Sequence, residues 1–545
     1  MNKIFMNQVG YLPGSVKRAV LNFPAEDFRV VDENGDTAYE GKTRHFGNDD
    51  ISGEDTYVAD FTILSEAGSY RLEAGDVKGP EFKVGYACFD KLKRDICKCF
   101  YYLRCGDALA RRYAGEYYHE PCHMSKATVY GEDVEPVDVT GGWHDAGDYG
   151  RYSTAGAVAV AHLLYAVRFF PNILDLEFDI PKEKCDNGQL PDLLAEVKVE
   201  LDFLMKMQRE NGSVWHKVTT FNHADFIMPE DDKNELFLFP VSSLATADIA
   251  AVFALASGIY KDYDKAYADK LMERALLAYD WLRENPKEVL FRNAEGSNTG
   301  EYPEAEDYSN RYWAACSLYE TTSEGCYYQD AMEQKAKLEA FNKVATMKLY
   351  QGDVMTCLGW GDDGGLGGLS LILKKEDNAL TLAARESFVN EAKRLVANGE
   401  KNGFNLCMER KDFIWGSNME LLKYMMVLTV ANLINKDEAF EDAIVAGLDY
   451  LLGCNSMDVS YVTGNGEKAF KNPHLRPTAV DDIEEPWPGL VSGGPNIGLQ
   501  DEKAQTIPKD SAAMKCYLDD VACYSLNEIT IYWNSPLVFV MAGLK

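Results

Sequence analysis

The spacing of apolar residues along this chain changes once, near residue 85. Before that point apolar residues recur at every second position, as in segments 57–61 and 70–72, which is the period of a half-buried strand. Turn-forming clusters such as 32–36 separate these runs. Several short strands at this spacing predict a small β-sandwich over residues 1–86.

From residue 89 onward the spacing becomes helical, with long loops between the helices. Segment 190–209 is typical, because its Leu, Val and Met residues form one stripe along a helix face. Long helices are predicted over 89–104, 154–170, 190–209, 243–260, 263–284, 309–322, 330–344, 379–397, 416–434, 437–452 and 522–542, with a further one near 366–373. We see almost no strand signal here, so we predict a large all-helical domain over residues 87–545.

Composition and charge exclude some classes of partner. The chain has 545 residues, of which 46% are hydrophobic and 26% charged, an ordinary globular balance. Its 55 basic and 87 acidic residues give a net charge of -32, which repels phosphate backbones and anionic lipids. No apolar run approaches the roughly 20 residues that span a bilayer. We therefore expect neither nucleic acid nor a membrane as partner.

The N-terminus and the cysteines bear on location. The first residues lack the apolar stretch of about 7–15 residues that a secretory signal needs. The 13 cysteines are odd in number and scattered, which is not the pattern of a disulfide framework. We expect mostly free thiols and a cytoplasmic location, or secretion if the chain has been trimmed of a leader.

The densest run of candidate catalytic residues is 141–152, Gly-Gly-Trp-His-Asp-Ala-Gly-Asp-Tyr-Gly-Arg-Tyr. In it Asp145 and Asp148 lie three positions apart, just before an apolar helix. A helix-capping role explains one Asp. It does not explain Trp143 and His144 in the same short loop, so the run also indicates a catalytic or sugar-binding role.

Glu528 is a second candidate, near the start of the apolar C-terminal helix. A first-turn Glu that complements the helix dipole is the simpler interpretation. However, Tyr524, Tyr532 and Trp533 lie nearby in sequence, and desolvation by such rings raises the pKa of a carboxyl. A raised pKa is what a general acid needs near neutral pH.

Two further sets of residues are candidates for binding. The first set has two cysteine thiols and two histidine imidazoles, which are the ligands of a closed, tetrahedral zinc site. Their spacing in the sequence is not that of a zinc finger, so free buried cysteines remain the alternative. Loops near 214–217, 299–302, 413–418 and 472–477 combine flat rings with fixed donors, as carbohydrate recognition does. The candidate metal ligands are Cys105, Cys122, His123 and His144, and the candidate substrate-binding residues are Trp143, Tyr149, His216, Tyr302, Trp415, His474, Arg476 and Tyr524.

Together these motifs resemble glycoside hydrolase family 9, the cellulase family with an (α/α)6 barrel. Asp-Ala-Gly-Asp-Tyr-Gly at 145–150 is similar to the family's base loop, and Asn-Glu at 527–528 followed by Trp-Asn-Ser-Pro-Leu is similar to its acid motif. Trp-Gly-Ser-Asn at 415–418 and Leu-Leu-Gly-Cys-Asn at 451–455 resemble two further signatures. Asn-Gln-Val-Gly-Tyr at 7–11 resembles the immunoglobulin-like domain that precedes the barrel in one subgroup.

The resemblance implies a mainly α fold, with an (α/α)6 barrel preceded by a small immunoglobulin-like β-sandwich. It also implies inverting hydrolysis of β-1,4-glucosidic bonds by two carboxyls about 6.5–9.5 Å apart. We assign Glu528 as general acid and Asp148 as general base, with Asp145 helping to hold the water. Asp145 and Asp148 are too close in sequence to act from opposite sides of a sugar ring.

The subgroup further implies a structural zinc at Cys105, Cys122, His123 and His144. Calcium occurs in some members, but the sequence does not place its ligands here. Four protein ligands leave no open position, so a catalytic zinc is discounted. The chain departs from the family at one motif. Family members often have His-His-Arg in the substrate cleft, whereas this chain has His474-Leu475-Arg476.

The length and the lack of an added cellulose-binding module resemble the cellodextrinases of the family. We therefore expect an oligosaccharide substrate, either soluble cello-oligosaccharides or soluble β-glucans. An exo-β-glucosaminidase of the same family and a non-catalytic carbohydrate-binding protein are the alternatives. The sequence does not predict whether the enzyme would act in exo or endo fashion, and it does not predict the oligomeric state.

Overall fold

A computed structural model describes residues 1–182, 184–185, 188–345 and 353–544. The chain divides into two compact units, Met1–Cys99 with Ala392–Ile529, and Phe100–Glu391 with Thr530–Lys545. Lys545, the last residue of the predicted catalytic domain, lies outside the described residues. The predicted domain boundary after residue 86 stays a prediction.

The first unit begins with eight strands. They are β1 (Ile4–Phe5), β2 (Gly10–Tyr11), β3 (Arg18–Leu21), β4 (Asp27–Asp32), β5 (Thr37–Asp49), β6 (Glu54–Asp60), β7 (Gly68–Ala74) and β8 (Val77–Val84). They are hydrogen-bonded in the order β1-β3-β6-β5-β4-β7-β8-β2, and the long β5 pairs first with β4 and then with β6. Along β4, Phe28 and Val30 are buried while Arg29 is exposed, which is the predicted alternation.

Helices dominate the rest of the chain. They are α1 (Asp90–Tyr102), α2 (Arg111–Ala114), α3 (Ser153–Phe169), α4 (Asp192–Lys206), α5 (Ser243–Tyr260), α6 (Lys265–Glu284), α7 (Tyr308–Thr322), α8 (Gly325–Val344), α9 (Gly364–Lys374), α10 (Ala379–Gly399), α11 (Ser417–Ile434), α12 (Glu438–Leu451), α13 (Arg476–Val480), α14 (Tyr524–Asn527) and α15 (Ile531–Gly543). Short 3₁₀ helices cover Pro171–Asp175, Pro229–Asp231, Val354–Thr356, Arg410–Asp412, Ala504–Thr506 and Ala513–Lys515. Each helical segment predicted from the sequence contains a helix.

The last predicted helix, over 522–542, is interrupted. Glu528 follows α14 with an extended backbone, and α15 begins only at Ile531. The Thr530 hydroxyl accepts a hydrogen bond from the Trp533 amide at 3.1 Å and thereby caps α15. This break places Glu528 in a connection between two helices, which hydrophobic periodicity alone did not predict.

The expectation of almost no strands after residue 89 was wrong. Within the described residues this part contains β9 (Thr128–Val129), β10 (Arg151–Tyr152), β11 (Lys184–Cys185), β12 (Gly188–Gln189), β13 (Val214–Trp215), β14 (Lys217–Thr220), β15 (Leu236–Leu238) and β16 (Val241–Ser242). These strands have two to four residues each, too few for a visible two-residue period. Four of them form a sheet in the order β10-β14-β15-β9, which extends directly from the loop of Asp145 and Asp148.

Helix α5 is central in the second unit. It packs against α3, α6 and α7, while α15 packs against α3. By length and composition α5 could cross a membrane, which corrects the expectation that no segment would reach that length. Nearly all of α5 is buried inside the protein, so core packing accounts for its apolar character.

Candidate active site

Asp145 lies in a buried loop that closes on itself before β10. Its amide donates to the Gly150 carbonyl at 3.0 Å, and its own carbonyl accepts from the Ile531 amide at 2.8 Å. The Tyr302 hydroxyl donates to Asp145 Oδ2. Burial and the charge of Asp145 raise the pKa of Tyr302, so this hydroxyl keeps its proton and remains a donor.

Asp148 is buried in the same loop and its carboxylate is held by several donors. Its Oδ2 accepts from the Gly150 amide at 3.1 Å and from the Tyr152 hydroxyl at 3.2 Å. His223 Nδ1 lies 3.4 Å from the same oxygen. Burial and the charge of Asp148 raise the pKa of Tyr152. Donors to a carboxylate favour its ionised form, which is the form a general base requires.

The four predicted metal ligands come together in the second unit. The possible ligand atoms of Cys105, Cys122, His123 and His144 all lie within 4.8 Å of one another, and all four residues are buried. His144 Nε2 is 3.4 Å from His123 Nδ1 and 3.8 Å from Cys122 Sγ. Two sulfurs and two imidazole nitrogens fit a closed tetrahedral metal centre.

The surroundings of this cluster support a metal centre. Asp232 Oδ2 lies 3.3 Å from His123 Nε2, an arrangement that fixes the ring with Nδ1 toward the cluster. His123 has a left-handed backbone with φ of 50°, which is uncommon for a residue other than glycine and is found at functional sites. The cluster is linked to the loop of Asp145 and Asp148 because His144 directly precedes Asp145 in the chain.

Two predicted substrate-binding residues are fully buried. The Trp143 indole donates to Glu196 Oε1 at 2.9 Å and packs 4.8 Å from the Phe100 ring. His216 stacks on Phe291 at 4.1 Å, and burial lowers its pKa to about 3. Neither ring offers a face to a sugar here, and both instead pack the surrounding core.

Tyr149 and Tyr302 have different surroundings. Tyr149 packs against the Cys/His cluster, with its ring centroid 4.9 Å from that of His144, and its hydroxyl donates to the Ile227 carbonyl at 2.5 Å. Tyr302 is half-buried, contacts Asp145 and has a left-handed φ of 49°. Tyr149 belongs to the loop of Asp145 and Asp148 itself, whereas Tyr302 comes from another segment and contacts that loop through Asp145. Their predicted sugar contacts stay predictions.

In the first unit, the structure groups the predicted acid with aromatic residues. Glu528 is half-buried, its amide donates to the Tyr524 carbonyl at 3.2 Å, and its carbonyl accepts from the Gly493 amide at 2.9 Å. The Tyr524 ring lies 5.3 Å from Trp415 and 5.9 Å from His474. Trp415 and Tyr524 are 39% and 36% exposed, so both rings are accessible to a sugar.

The backbone next to Glu528 is firmly positioned. The His474 amide donates to the Asn527 carbonyl at 2.9 Å, and the Asn527 side-chain amide donates to the Leu518 carbonyl at 3.0 Å. Arg476, which begins α13, is buried. Three predicted subsite residues, Trp415, His474 and Tyr524, are therefore brought together near Glu528.

Sequence reasoning missed several residues around Asp148. Tyr152, Lys217 and His223 all surround it, although Tyr152 and Lys217 stand in motifs already singled out. Glu200 was also missed, and its carboxylate accepts from the Trp143 amide at 2.7 Å. A polar residue inside an otherwise apolar stripe was the only available signal for Glu200.

A cluster of buried acidic residues, Asp248, Glu304 and Asp363 with Asn310, was not anticipated either. The Asn310 side-chain amide lies 3.0 Å from Asp248 Oδ1, 2.9 Å from Asp363 Oδ2 and 3.4 Å from Glu304 Oε1. Within the described part of the chain, the remaining side-chain oxygen of each of these four residues is buried without a hydrogen-bond partner. Burial raises the pKa of Asp248 to about 7 and the pKa values of Glu304 and Asp363 well above their usual range.

Two family models and several known proteins match this chain. The chain matches the models of glycosyl hydrolase family 9 over residues 89–541 and of the cellulase N-terminal ig-like domain over residues 1–79. It is 69% identical over 545 residues to a cellodextrinase from Butyrivibrio fibrisolvens, covering 100% of both chains. The protein therefore belongs to glycoside hydrolase family 9 and carries the N-terminal immunoglobulin-like domain found in cellulases of that family.

Solved structures give the same result. AaCel9A in complex with cellobiose-like isofagomine superposes with a TM-score of 0.88 at 33% identity, covering 99% of each chain. A Zn-binding triple mutant of the family 9 endoglucanase J30 superposes with a TM-score of 0.89 at 31% identity, covering 97% of this chain and 99% of that one.

Proposed function

We propose that this glycoside hydrolase cleaves β-1,4-glucosidic bonds of soluble cello-oligosaccharides with inversion at the anomeric carbon. The observation that carries the proposal is Asp148, a buried carboxylate whose Oδ2 is held by the Gly150 amide and the Tyr152 hydroxyl. The full-length similarity to a cellodextrinase supports the substrate class. The proposed catalytic domain is an (α/α)6 barrel over residues 87–545.

In the proposed mechanism Asp148 acts as general base and Glu528 as general acid. Asp148 takes a proton from water as the water oxygen attacks the anomeric carbon, while Glu528 gives its proton to the leaving glycosidic oxygen. Asp145, fixed by Tyr302, helps to hold the water. The water adds to the face opposite the leaving group, so the configuration inverts.

The proposed subsites combine aromatic and polar groups. Trp415 and Tyr524 present accessible rings, and His474 lies beside Tyr524. Such rings pack against the C–H faces of glucosyl units. The net charge of -32 favours a neutral glucan over anionic uronates.

The substrate proposal is tested by comparing cellotetraose, microcrystalline cellulose and chitosan oligomers at equal reducing-end concentration. We expect the highest rate on cellotetraose. Preference for chitosan oligomers would indicate the glucosaminidase alternative, and binding without release of reducing ends would indicate a non-catalytic binding protein. Asp148→Asn serves as the inactive control.

We further propose that the Cys/His cluster binds one structural zinc. Zinc there would cross-link the segments of Cys105, Cys122 and His144 without taking part in proton transfer. We expect one zinc per chain in protein purified without chelators, and less in Cys122→Ser. A zinc-free wild-type protein that remains active would contradict this proposal.

Calcium is proposed at the acidic cluster around Asn310. Carboxylate and amide oxygens are the ligands calcium prefers, and the unpartnered oxygens there are otherwise costly to bury. Calcium should raise the melting temperature relative to EGTA-treated protein, and Asp363→Asn should abolish the difference. Asp412→Asn, a buried aspartate outside the cluster, should keep the response. An unchanged melting temperature in the wild type would contradict the site.

Location is a separate proposal. The 13 cysteines are odd in number and scattered along the chain rather than spaced as a disulfide framework, which supports a reducing, cytoplasmic compartment. Detection of the native protein outside the producing cells would contradict it.

A further inference from the structure

Lys217 is a buried cation with an unusual set of partners. It begins β14, its side chain is fully buried, and its ammonium donates to Asn293 Oδ1 at 2.6 Å, Thr299 Oγ1 at 2.9 Å and the Gly300 carbonyl at 2.6 Å. All three acceptors are neutral. A buried charge without a carboxylate in contact is costly, and here burial lowers the pKa of Lys217 to about 7.

The strand pairing connects Lys217 with Asp148. Tyr152 and Lys217 are direct partners in the β10–β14 ladder, and both side chains converge on Gly300. The Gly300 amide donates to the Tyr152 hydroxyl oxygen at 3.1 Å. Because that oxygen accepts from Gly300, the hydroxyl proton is directed to Asp148 Oδ2, 3.2 Å away.

The close approach at Gly300 depends on the absence of a side chain. A Cβ at this position would lie 3.1 Å from the Tyr152 hydroxyl and ring, tighter than ordinary contact. The Lys217 ammonium also lies 4.6 Å from the Phe239 ring centroid and 5.4 Å from that of Phe291, whose faces favour a cation. The rings and the three acceptors offset part of the cost of burying the ammonium and hold it close to Gly300.

We propose that Lys217 is a positioning residue for the general base: it fixes Gly300 so that Tyr152 directs its proton to Asp148, and its charge stabilises the carboxylate. The inference rests on the proposed role of Asp148. The other titratable groups facing this pair are Asp145 and Tyr302, His223 beside Asp148, and Glu301 near Lys217. Within the described residues, the side chains that hydrogen-bond to Gly300 are those of Lys217 and Tyr152, so none of these other groups replaces the link.

The test is the pH dependence of kcat/KM on 2,4-dinitrophenyl β-cellobioside. Its leaving group needs no protonation, so the acidic limb of the profile reports the general base. In Lys217→Met we expect that limb to move up by about one pH unit, because losing a nearby cation favours the protonated carboxyl. At pH values below the limb we expect kcat/KM to fall about tenfold, because a rise of one pKa unit lowers the ionised fraction of the base tenfold there.

Two more variants separate the effect of the Lys217 charge from the effect of the Tyr152 hydroxyl. Lys217→Arg should restore the position of the acidic limb and extend activity on the alkaline side, since arginine keeps its proton where lysine loses it near pH 7. Tyr152→Phe should move the acidic limb in the same direction as Lys217→Met. The double variant should shift it less than the sum of the two single shifts, because both act through one chain of contacts.

Lys17→Met is the matched control. Lys17 is also fully buried and donates to neutral carbonyls, those of Pro13 and Ser15 at 2.8 Å each, but it belongs to the first unit. It should lower the melting temperature and leave the acidic limb unchanged. If Lys217→Met and Tyr152→Phe behave as Lys17→Met does, the inference is overturned. Substantial activity in Asp148→Asn would instead overturn the base assignment itself.

Discussion

The two segments that carry the proposed catalytic carboxyls differ in how they are built. The loop of Asp145 and Asp148 is buried, and both carboxylates accept hydrogen bonds from fixed donors, including the hydroxyls of Tyr302 and Tyr152. The segment of Glu528 is half-buried and held through its backbone, beside the accessible ring of Tyr524.

This difference matches the opposite tasks proposed for the two groups. A general base must stay ionised and point in one direction, and donors to its oxygens favour both. A general acid must hold a proton until the leaving oxygen needs it, and an environment of rings disfavours its ionised form. The comparison teaches that an acid and a base of the same chemical type are distinguished by their surroundings.

The largest effect is expected for Asp148→Asn. The amide is nearly isosteric but cannot take a proton, so activity should fall by about 10²–10⁴-fold. The loss should be similar on cellotetraose and on 2,4-dinitrophenyl β-cellobioside, because both need an activated water. An unchanged melting curve would show that the loss is chemical, whereas near wild-type turnover would refute the assignment.

Glu528→Gln should separate the acid from the base. Its rate on cellotetraose should fall about 10²–10³-fold, since the leaving sugar oxygen is no longer protonated. On 2,4-dinitrophenyl β-cellobioside the rate should stay within about tenfold of the wild type, because that leaving group departs unprotonated. Equal losses on both substrates would contradict the role of Glu528 as acid.

Loss of the metal should have an intermediate effect through the base loop. Cys122→Ser should remove zinc and lower activity about 10–100-fold, because His144 precedes Asp145 and would no longer be anchored. Zinc content, the melting temperature and kcat should decrease together. Cys326→Ser, at an exposed thiol, is the control. Full activity in a zinc-free variant would remove the link between the cluster and the loop.

The smallest effect concerns Asp449 in α12, a buried carboxyl outside both segments. Burial raises its pKa to about 8, although the Asn7 side-chain amide donates to it at 2.9 Å. The folded state therefore keeps a proton that the unfolded chain releases above about pH 4. The stability contributed by this group is present below that pH and is lost as the pH rises through 8.

Asp449→Asn should remove this dependence. Relative to the wild type, the variant should gain stability as the pH rises from 5 to 8. Urea unfolding at both pH values measures the difference. If the difference in unfolding free energy between variant and wild type did not change with pH, Asp449 would not titrate as its burial indicates. That result would also weaken the argument that a buried carboxylate needs donors, such as those around Asp148, to stay ionised.

Much of the fold was predictable because its signals are local. Amphipathic stripes such as that of 190–209 specify a helix within a short window, and α4 covers Asp192–Lys206 as expected. The short strand β10 was missed because two residues carry no period. The break between α14 and α15 was missed because it is marked by Thr530, which caps the start of α15, and not by a change in hydrophobicity.

The site was predictable in part for a different reason. Asp145, Asp148 and His144 share one loop, so their proximity is visible in the sequence. Lys217 reaches Asp148 only through strand pairing and Gly300, and Asp232 reaches His123 across 109 positions. Such partners depend on tertiary structure, and for the same reason the complete burial of Trp143 and His216 was not anticipated.

The most direct test of the account is the configuration of the first product. Cellotetraose, with β-linkages, should be hydrolysed in an NMR tube and the anomeric proton signals followed before mutarotation. With Asp148 activating water opposite the bond that Glu528 protonates, the new reducing end should appear as the α-anomer. An initial β-anomer would contradict inversion and with it the division of roles between the two carboxyls.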